Sequence, residues 1–222
     1  MSWIQESYQR GKKMKDSYSL NGIPIYIKDR MVNDIDMEFV IRYITSRIPA
    51  ILMKGVDVIY VGNFKHLELR DINAMYEDGA IYLTNHQDDE MDIIDDIIHE
   101  IAHACEKEYL PMIYDGAIEQ EFIAKRKRLY SVLKAEGYDV SPVFRIKIDH
   151  DEQIDRFLYK DVGYVTLNNL VNGLFPSPYS ATSLREYFAT CFEEYFMGDV
   201  SYLKSISPVA YRVITQLSEM ED

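Results

Sequence analysis

The spacing of apolar and polar residues changes along the chain, from strand-like runs in the first part to helical periodicity in the second. Short alternating or β-branched runs predict strands at Leu20–Ile27, Val56–Val61 and Ala80–Thr84. The dipeptides Asn21-Gly22 and Asp78-Gly79 predict turns beside the first and third of these strands, since these residue types accept a positive φ. We therefore expect a small sheet in the first part of the chain.

Apolar residues that recur every three to four positions predict helices through most of the remaining chain. The expected helical ranges are Met37–Met53, Asp88–Tyr109, Gly116–Gly137, Ser183–Gly198 and Val209–Leu217. Asp34 or Asp36 can cap the first helix, and Ser183 forms a capping box with Glu186 at the fourth. A further strand-like run occupies Val143–Ile148. Together these patterns predict an α+β fold with a small mixed sheet and a mostly helical C-terminal half.

The length and charge of the chain limit its class. With 222 residues, 47% of them hydrophobic, the chain can bury one substantial core, so we expect a single domain over residues 1–222. Within it, a sheet lobe covers about 1–87 and a helical lobe about 88–222. The formal net charge of −13 argues against a nucleic-acid partner, which requires a basic face.

Targeting signals and cysteine usage predict an intracellular compartment. The first residues, Met1–Glu6, have no apolar core of a signal peptide, and no apolar run approaches the about 18 residues of a membrane span. We therefore expect a cytoplasmic or otherwise intracellular protein that has no membrane partner. Cys105 and Cys191 lie in apolar helical patterns and are expected to be buried thiols, with a bridge between them as the alternative.

The run His99-Glu100-Ile101-Ala102-His103 lies inside the predicted helix Asp88–Tyr109. Residues four apart share one helix face, so His99 and His103 can offer two imidazole nitrogens to one metal ion. Glu100 is turned about 100° away and lies where a general base for metal-bound water belongs. This spacing is typical of zinc hydrolases, and the alternative is a pair of core histidines bound to neighbouring carbonyls.

A catalytic zinc ion takes three protein ligands and leaves a fourth position for water. The metzincin arrangement needs a third histidine six residues after the second, and position 109 is tyrosine. A carboxylate from a later helix is therefore required. Glu186 is the best candidate because its helix has an apolar face that can pack on the HExxH helix. Glu193 and Glu194 are rivals on a similar face of that helix. The alternative for Glu186 is a role in capping the helix.

The strand formed by Ala80, Ile81, Tyr82, Leu83 and Thr84 comes directly before the HExxH helix. Zinc endopeptidases place at this point the edge strand that pairs with the substrate backbone. We therefore expect these five residues to bind an extended peptide through their main chain. The alternative is an ordinary internal strand.

The HExxH run, followed far downstream by Tyr179-x6-Glu186-Tyr187-Phe188-Ala189, resembles the zinc metallopeptidases of the anthrax lethal-factor catalytic-domain type, which include the Pro-Pro endopeptidases. The resemblance covers about residues 56–222. It implies a zincin-like fold of the gluzincin type, one Zn²⁺ ion on His99, His103 and Glu186, and a hydroxyl from Tyr179 that stabilises the oxyanion. The long interval between His103 and Glu186 implies an insertion at about 116–162.

These features predict a zinc-dependent endopeptidase in which Glu100 acts as general base and Tyr179 contacts the oxyanion. The expected partner is a protein or peptide substrate. Two other functions use the same residues: a non-catalytic binding module that keeps the fold, and a metal-dependent hydrolase of a non-peptide amide.

Overall fold

The computed structural model describes residues 17–140 and 147–220, which form a mixed α+β protein. The chain divides between Glu108 and Tyr109 into two compact units. This boundary falls later than the lobe boundary expected at residues 87 and 88. None of the helices in the described ranges combines the length and apolarity needed to cross a membrane.

A five-stranded mixed sheet lies in the described part of the first unit. Its strands are β1 (Ser17–Leu20), β2 (Ile23–Ile27), β3 (Val58–Val61), β4 (Ala74–Glu77) and β5 (Ala80–Leu83). The spatial order is β1-β2-β3-β5-β4, and β3 runs parallel to both β2 and β5. The two outer pairs, β1 with β2 and β4 with β5, are antiparallel.

Two-residue turns close both antiparallel pairs. Asn21 and Gly22 have φ values of +50° and +89°, and Asp78 and Gly79 have +46° and +87°. Positive φ at both central residues is the geometry of a type I′ hairpin turn, which Asn-Gly and Asp-Gly favour. Both predicted turns are confirmed, and the first splits the predicted strand Leu20–Ile27 into the end of β1 and all of β2.

The two faces of the sheet differ in composition. Ile25, Ile59 and Ile81 align across β2, β3 and β5 and are fully buried. One residue further along, Tyr26, Tyr60 and Tyr82 stack across the same three strands, with ring centroids 5.9 and 5.5 Å apart. Since successive strand residues point to opposite faces, the isoleucines form a core face and the tyrosines form an aromatic face.

The expectation that Ala80–Thr84 forms a sheet edge is wrong. β5 lies between β3 and β4, so both of its sides are paired and its main chain has no free edge for a peptide. Among the described residues, the edge strand next to it is β4, which the hydrophobic pattern did not predict. β4 is short and only partly buried, so its side chains carry little of the alternation that reveals a strand.

Three helices belong to the described part of the first unit or begin in it: α1 (Met37–Arg47), α2 (Lys65–Arg70) and α3 (Glu90–Ile113). Asp36 caps α1 by accepting a hydrogen bond from the Phe39 N–H at 2.9 Å. α1 ends before Pro49, where a 3-10 turn (Ala50–Met53) replaces the predicted continuation. α3 has a non-helical φ of −116° at Tyr109, two residues before Pro111, so its regular part ends where the sequence predicted.

The described part of the second unit is helical. It contains α4 (Ala117–Ala135), α5 (Glu152–Arg156), a π-helical segment (Phe157–Val162), α6 (Tyr164–Val171), a 3-10 turn (Tyr179–Ala181), α7 (Leu184–Met197), α8 (Val200–Ile206) and α9 (Pro208–Ser218). The predicted helices at 116–137, 183–198 and 209–217 are confirmed. Most of the strand expected at Val143–Ile148 lies outside the described residues.

Phe122, Phe175 and Tyr187 form the centre of the second unit, with ring centroids 5.5 to 6.2 Å apart. All three side chains are buried. A half-buried polar group lies beside them: Glu121 accepts hydrogen bonds from the Tyr187 hydroxyl at 2.8 Å and from the main-chain N–H of Val209 at 2.9 Å. Glu121 thereby connects α4, α7 and the first turn of α9.

Candidate metal centre

The carboxylate of Asp89 holds the N-terminus of α3. Asp89 Oδ1 accepts hydrogen bonds from the N–H groups of Met91 at 2.8 Å and Asp92 at 3.0 Å. These bonds satisfy two of the N–H groups that a helix leaves unpaired at its start, and the negative charge complements the helix dipole. The buried residues Ile93, Ile97 and Ile101 then anchor the helix along its length, which fixes the direction of the histidines that follow.

His99 and His103 lie one turn apart on α3, and their Nε2 atoms converge to 3.2 Å. The ring centroids are 4.8 Å apart with an interplanar angle of 79°. Two nitrogens bound to one zinc ion at about 2.0–2.1 Å in tetrahedral geometry would be about 3.3 Å apart. The two imidazoles therefore already have the separation that a shared metal ion requires.

Glu106 holds the second nitrogen of His103. Its Oε2 lies 2.7 Å from His103 Nδ1, and both side chains are buried. A carboxylate only accepts hydrogen bonds, so Nδ1 carries a proton, and in the neutral ring Nε2 then has the lone pair that a metal ion needs. The sequence analysis missed this residue, although the spacing His103-x-x-Glu106 places both side chains on one helix face and could have revealed it.

Glu100 points toward the edge strand of the sheet. Its side chain is 5% exposed, and its Oε2 accepts a hydrogen bond from the Tyr76 main-chain N–H at 2.5 Å. Tyr76 belongs to β4, so the carboxylate expected to act as general base is hydrogen-bonded to the main chain of the edge strand. The sequence analysis could not place this contact because it did not predict β4.

Glu186 lies in the first turn of α7. Its main-chain N–H donates a hydrogen bond to Ser183 Oγ at 3.2 Å, which confirms Ser183 as the N-cap. This bond uses the main chain of Glu186. Glu186 belongs to the second unit and the two histidines belong to the first, so the role of Glu186 as the third ligand stays a prediction.

The two rival carboxylates lie at the other end of α7 from Glu186. Glu194 Oε1 accepts a hydrogen bond from the Asp199 N–H at 2.8 Å, in the connection between α7 and α8. Glu193 lies beside it, near the C-terminal end of α7. Of the three glutamates that the helical spacing left open, Glu186 alone lies at the N-terminal end of α7.

Tyr179 begins a 3-10 turn and its side chain is 42% exposed. Its main-chain carbonyl accepts hydrogen bonds from the N–H of Thr182 at 3.0 Å and from the hydroxyl of Thr182 at 2.8 Å. These bonds hold the turn immediately before the N-cap of α7. The role of the Tyr179 hydroxyl stays a prediction from the family resemblance.

Asp96, one turn before Glu100 on α3, is a carboxyl group with an altered acidity. Burial raises the pKa of Asp96 from 3.8 to about 7, against the opposing effect of a 2.9 Å hydrogen bond from Gln87 Nε2. The nearby carboxylates of Asp92, Asp95 and Glu100 raise this pKa further. Asp96 is therefore partly protonated near neutral pH.

Cys105 and Cys191 are both free and buried, so the expectation of two buried thiols is confirmed. Cys105 Sγ donates to the Leu52 carbonyl at 2.9 Å. Burial raises the pKa of both thiols, which keeps them protonated at neutral pH.

Comparisons of the chain with protein-family models, with curated proteins and with solved structures found no match.

Proposed function

We propose that this protein is a zinc-dependent endopeptidase whose metal ion is held by His99, His103 and Glu186. The observation that carries the proposal is the 3.2 Å approach of the two Nε2 atoms, with Glu106 on the opposite nitrogen of His103. Two neutral imidazoles brought this close in a buried helix have facing lone pairs unless a proton or a metal ion lies between them. One carboxylate added to two imidazoles is a common ligand set of catalytic zinc.

A zinc ion bound here would polarise the scissile carbonyl and lower the pKa of its water to about 7. Glu100 receives the proton of the attacking water and passes it to the leaving amine. Burial of Glu100 excludes bulk water from this transfer. The hydroxyl of Tyr179, assigned by the family resemblance, donates a hydrogen bond to the oxyanion of the tetrahedral intermediate.

The peptide is proposed to pair with β4 instead of Ala80–Thr84. The Thr84 N–H donates to the Asn73 carbonyl at 2.8 Å, so Asn73, Met75 and Glu77 direct their main-chain groups toward β5. Ala74 and Tyr76 alternate with them and direct their main-chain groups outward. An extended substrate can add to this edge as a further strand.

The test is digestion of a proteome-derived peptide library by purified protein of measured metal content. We expect about one zinc ion per chain, peptide cleavage, and loss of cleavage by about 100-fold or more in Glu100→Gln with zinc retained. Glu108→Gln is the matched control, because Glu108 is exposed on the same helix. It should cleave as the wild type does.

Other outcomes distinguish the alternatives. Cleavage by Glu100→Gln at the wild-type rate would refute the mechanism. Stoichiometric zinc without cleavage of any peptide would favour a binding module or a hydrolase of non-peptide amides. Absence of bound metal would refute the assignment of His99 and His103.

A further inference from the structure

We propose that the main-chain N–H of Tyr76 is a positioning group that holds Glu100 in place for proton transfer. This inference rests on the proposed function, since it assigns a partner to the general base of that reaction. It also makes the edge strand β4 part of the catalytic apparatus as well as a place for a peptide to bind.

The direction of the Tyr76 N–H follows from the register of the sheet. Hydrogen-bonded and non-hydrogen-bonded pairs alternate along an antiparallel pair of strands, and Asn73 and Thr84 form a hydrogen-bonded pair. Counted from there, Tyr76 and Ile81 form a non-hydrogen-bonded pair. The main-chain N–H and carbonyl of Tyr76 therefore face away from β5. An outward N–H on an edge strand is ordinarily left to water. Here it donates to Glu100 Oε2 at 2.5 Å.

The side chain of Tyr76 attaches the strand to the same region of α3. Its hydroxyl donates to the Gly55 carbonyl at 2.9 Å. Gly55 lies against α3 one turn beyond Glu100, where an added Cβ would approach the Ala104 carbonyl oxygen at 3.0 Å and the Ala104 Cβ at 3.3 Å. Tyr76 is thus fixed relative to α3 through its hydroxyl as well as through its N–H.

The consequence for Glu100 is a single preferred orientation. A glutamate side chain has three rotatable bonds, and a charge-assisted hydrogen bond to one carboxylate oxygen restricts them. The bond from Tyr76 therefore fixes the direction of the carboxylate through Oε2. The same bond leaves Ala74 as the residue of β4 whose outward N–H can pair with the substrate.

The hydrogen bond can be tested without any reaction. In protein labelled with ¹⁵N-tyrosine and ¹⁵N-alanine, the amide of Tyr76 should exchange with solvent at least about tenfold more slowly than that of Ala74, although both face outward. Glu100→Ala should remove this difference, and Glu108→Ala should preserve it. A Tyr76 amide that exchanges equally fast in wild type and in Glu100→Ala would overturn the proposal.

The positioning role is tested by kinetics on the zinc-loaded protein. Tyr76→Pro removes the N–H, and proline is tolerated at an edge position whose N–H faces outward. We expect kcat to fall about 10- to 100-fold with KM and zinc content changed less than about twofold. Tyr76→Phe keeps the N–H while removing the hydroxyl, so its kcat should exceed that of Tyr76→Pro by about tenfold.

Ala74→Pro is the matched comparison for the strand. It removes the outward N–H assigned to the substrate, so it should raise KM with little change in kcat. An equal loss of kcat in both proline variants, or wild-type kcat in a folded Tyr76→Pro, would refute the positioning role. If wild-type protein cleaves no peptide although the Tyr76 amide is protected, the proposed function fails and the positioning role falls with it, while the hydrogen bond itself stands.

Discussion

Glu106 Oε2 lies 2.7 Å from His103 Nδ1, one helical turn after the HExxH run. Both residues are on α3, and both side chains are buried. A histidine that binds a metal ion is commonly held in this way, with the free ring nitrogen donating to a carboxylate that fixes the ring and increases its basicity. If His103 binds the proposed zinc ion, Glu106 fixes the orientation of its ring without itself being a ligand.

Replacing Glu106 should weaken zinc binding. Glu106→Gln keeps the size of the side chain but removes its charge, so we expect the Kd for zinc to rise about 10- to 100-fold. Competition with a chromogenic chelator measures this change. Glu108→Gln, which changes an exposed glutamate two residues away, should bind zinc as the wild type does. Equal affinities in the two variants would show that Glu106 has no role in metal binding.

The third ligand can be identified by metal content. Glu186→Ala removes one of three proposed ligands, so we expect loss of bound zinc after dialysis and loss of peptide cleavage. His99→Ala should behave in the same way. Glu193→Ala and Glu194→Ala, on the same helix, should retain zinc, and elemental analysis of the purified variants measures the difference. Retention of zinc by Glu186→Ala would return the assignment to the other glutamates.

Asp96 should make the stability of the protein depend on pH. Its pKa is raised in the folded state, from 3.8 to about 7, so the folded protein binds this proton more tightly than the unfolded chain does. The stability contributed by protonated Asp96 is therefore lost as the pH rises from about 4 to about 7.

Asp96→Asn should remove this dependence, because asparagine is uncharged and can still accept the hydrogen bond from Gln87. We compare the free energy of unfolding of Asp96→Asn with that of the wild type at two pH values. The difference should shift in favour of the variant by about 1–3 kcal/mol from pH 5 to pH 8. Urea unfolding of metal-free protein measures it. Glu108→Gln, which changes an exposed carboxylate on the same helix, is the control, and a pH dependence shared by both variants would contradict the assignment to Asp96.

The parts of the fold that follow from short segments could be predicted from the sequence. The turn at Asp78-Gly79, the cap at Ser183 and the helix that carries His99 and His103 depend on residues within a few positions of one another. Helical spacing left three glutamates open as the third ligand, and the apolar face of the helix made Glu186 the best candidate among them. The family resemblance implies the same residue, whose role in metal binding stays a prediction.

The errors concern the order of strands. Whether β5 is internal depends on β4, which pairs with it after a tight turn and takes the edge position. β4 is short and half-buried, so its side chains gave no signal. The contact between Tyr76 and Glu100 was hidden for the same reason, since a main-chain donor has no signature in sequence. A site that uses main-chain groups can be found only when the strand order is known.

Glu121 should be important for the stability of the second unit. Its carboxylate accepts hydrogen bonds from the buried Tyr187 hydroxyl at 2.8 Å and from two N–H groups in the first turn of α9, those of Val209 at 2.9 Å and Ala210 at 3.1 Å. Glu121→Ala leaves a buried hydroxyl and a helix N-terminus without this acceptor, so we expect a loss of about 2–4 kcal/mol in the free energy of unfolding. Glu136→Ala, at an exposed position after the same helix α4, should change stability by less than about 0.5 kcal/mol. Urea unfolding compares the two variants, and a similar small effect in both would mean that water replaces the carboxylate without cost.

Glu121→Gln separates the effect of charge from that of shape. An amide oxygen can accept a hydrogen bond from Tyr187 but complements the dipole of α9 less well than a carboxylate does. The free energy of unfolding lost in Glu121→Gln should therefore fall between the losses in the two alanine variants.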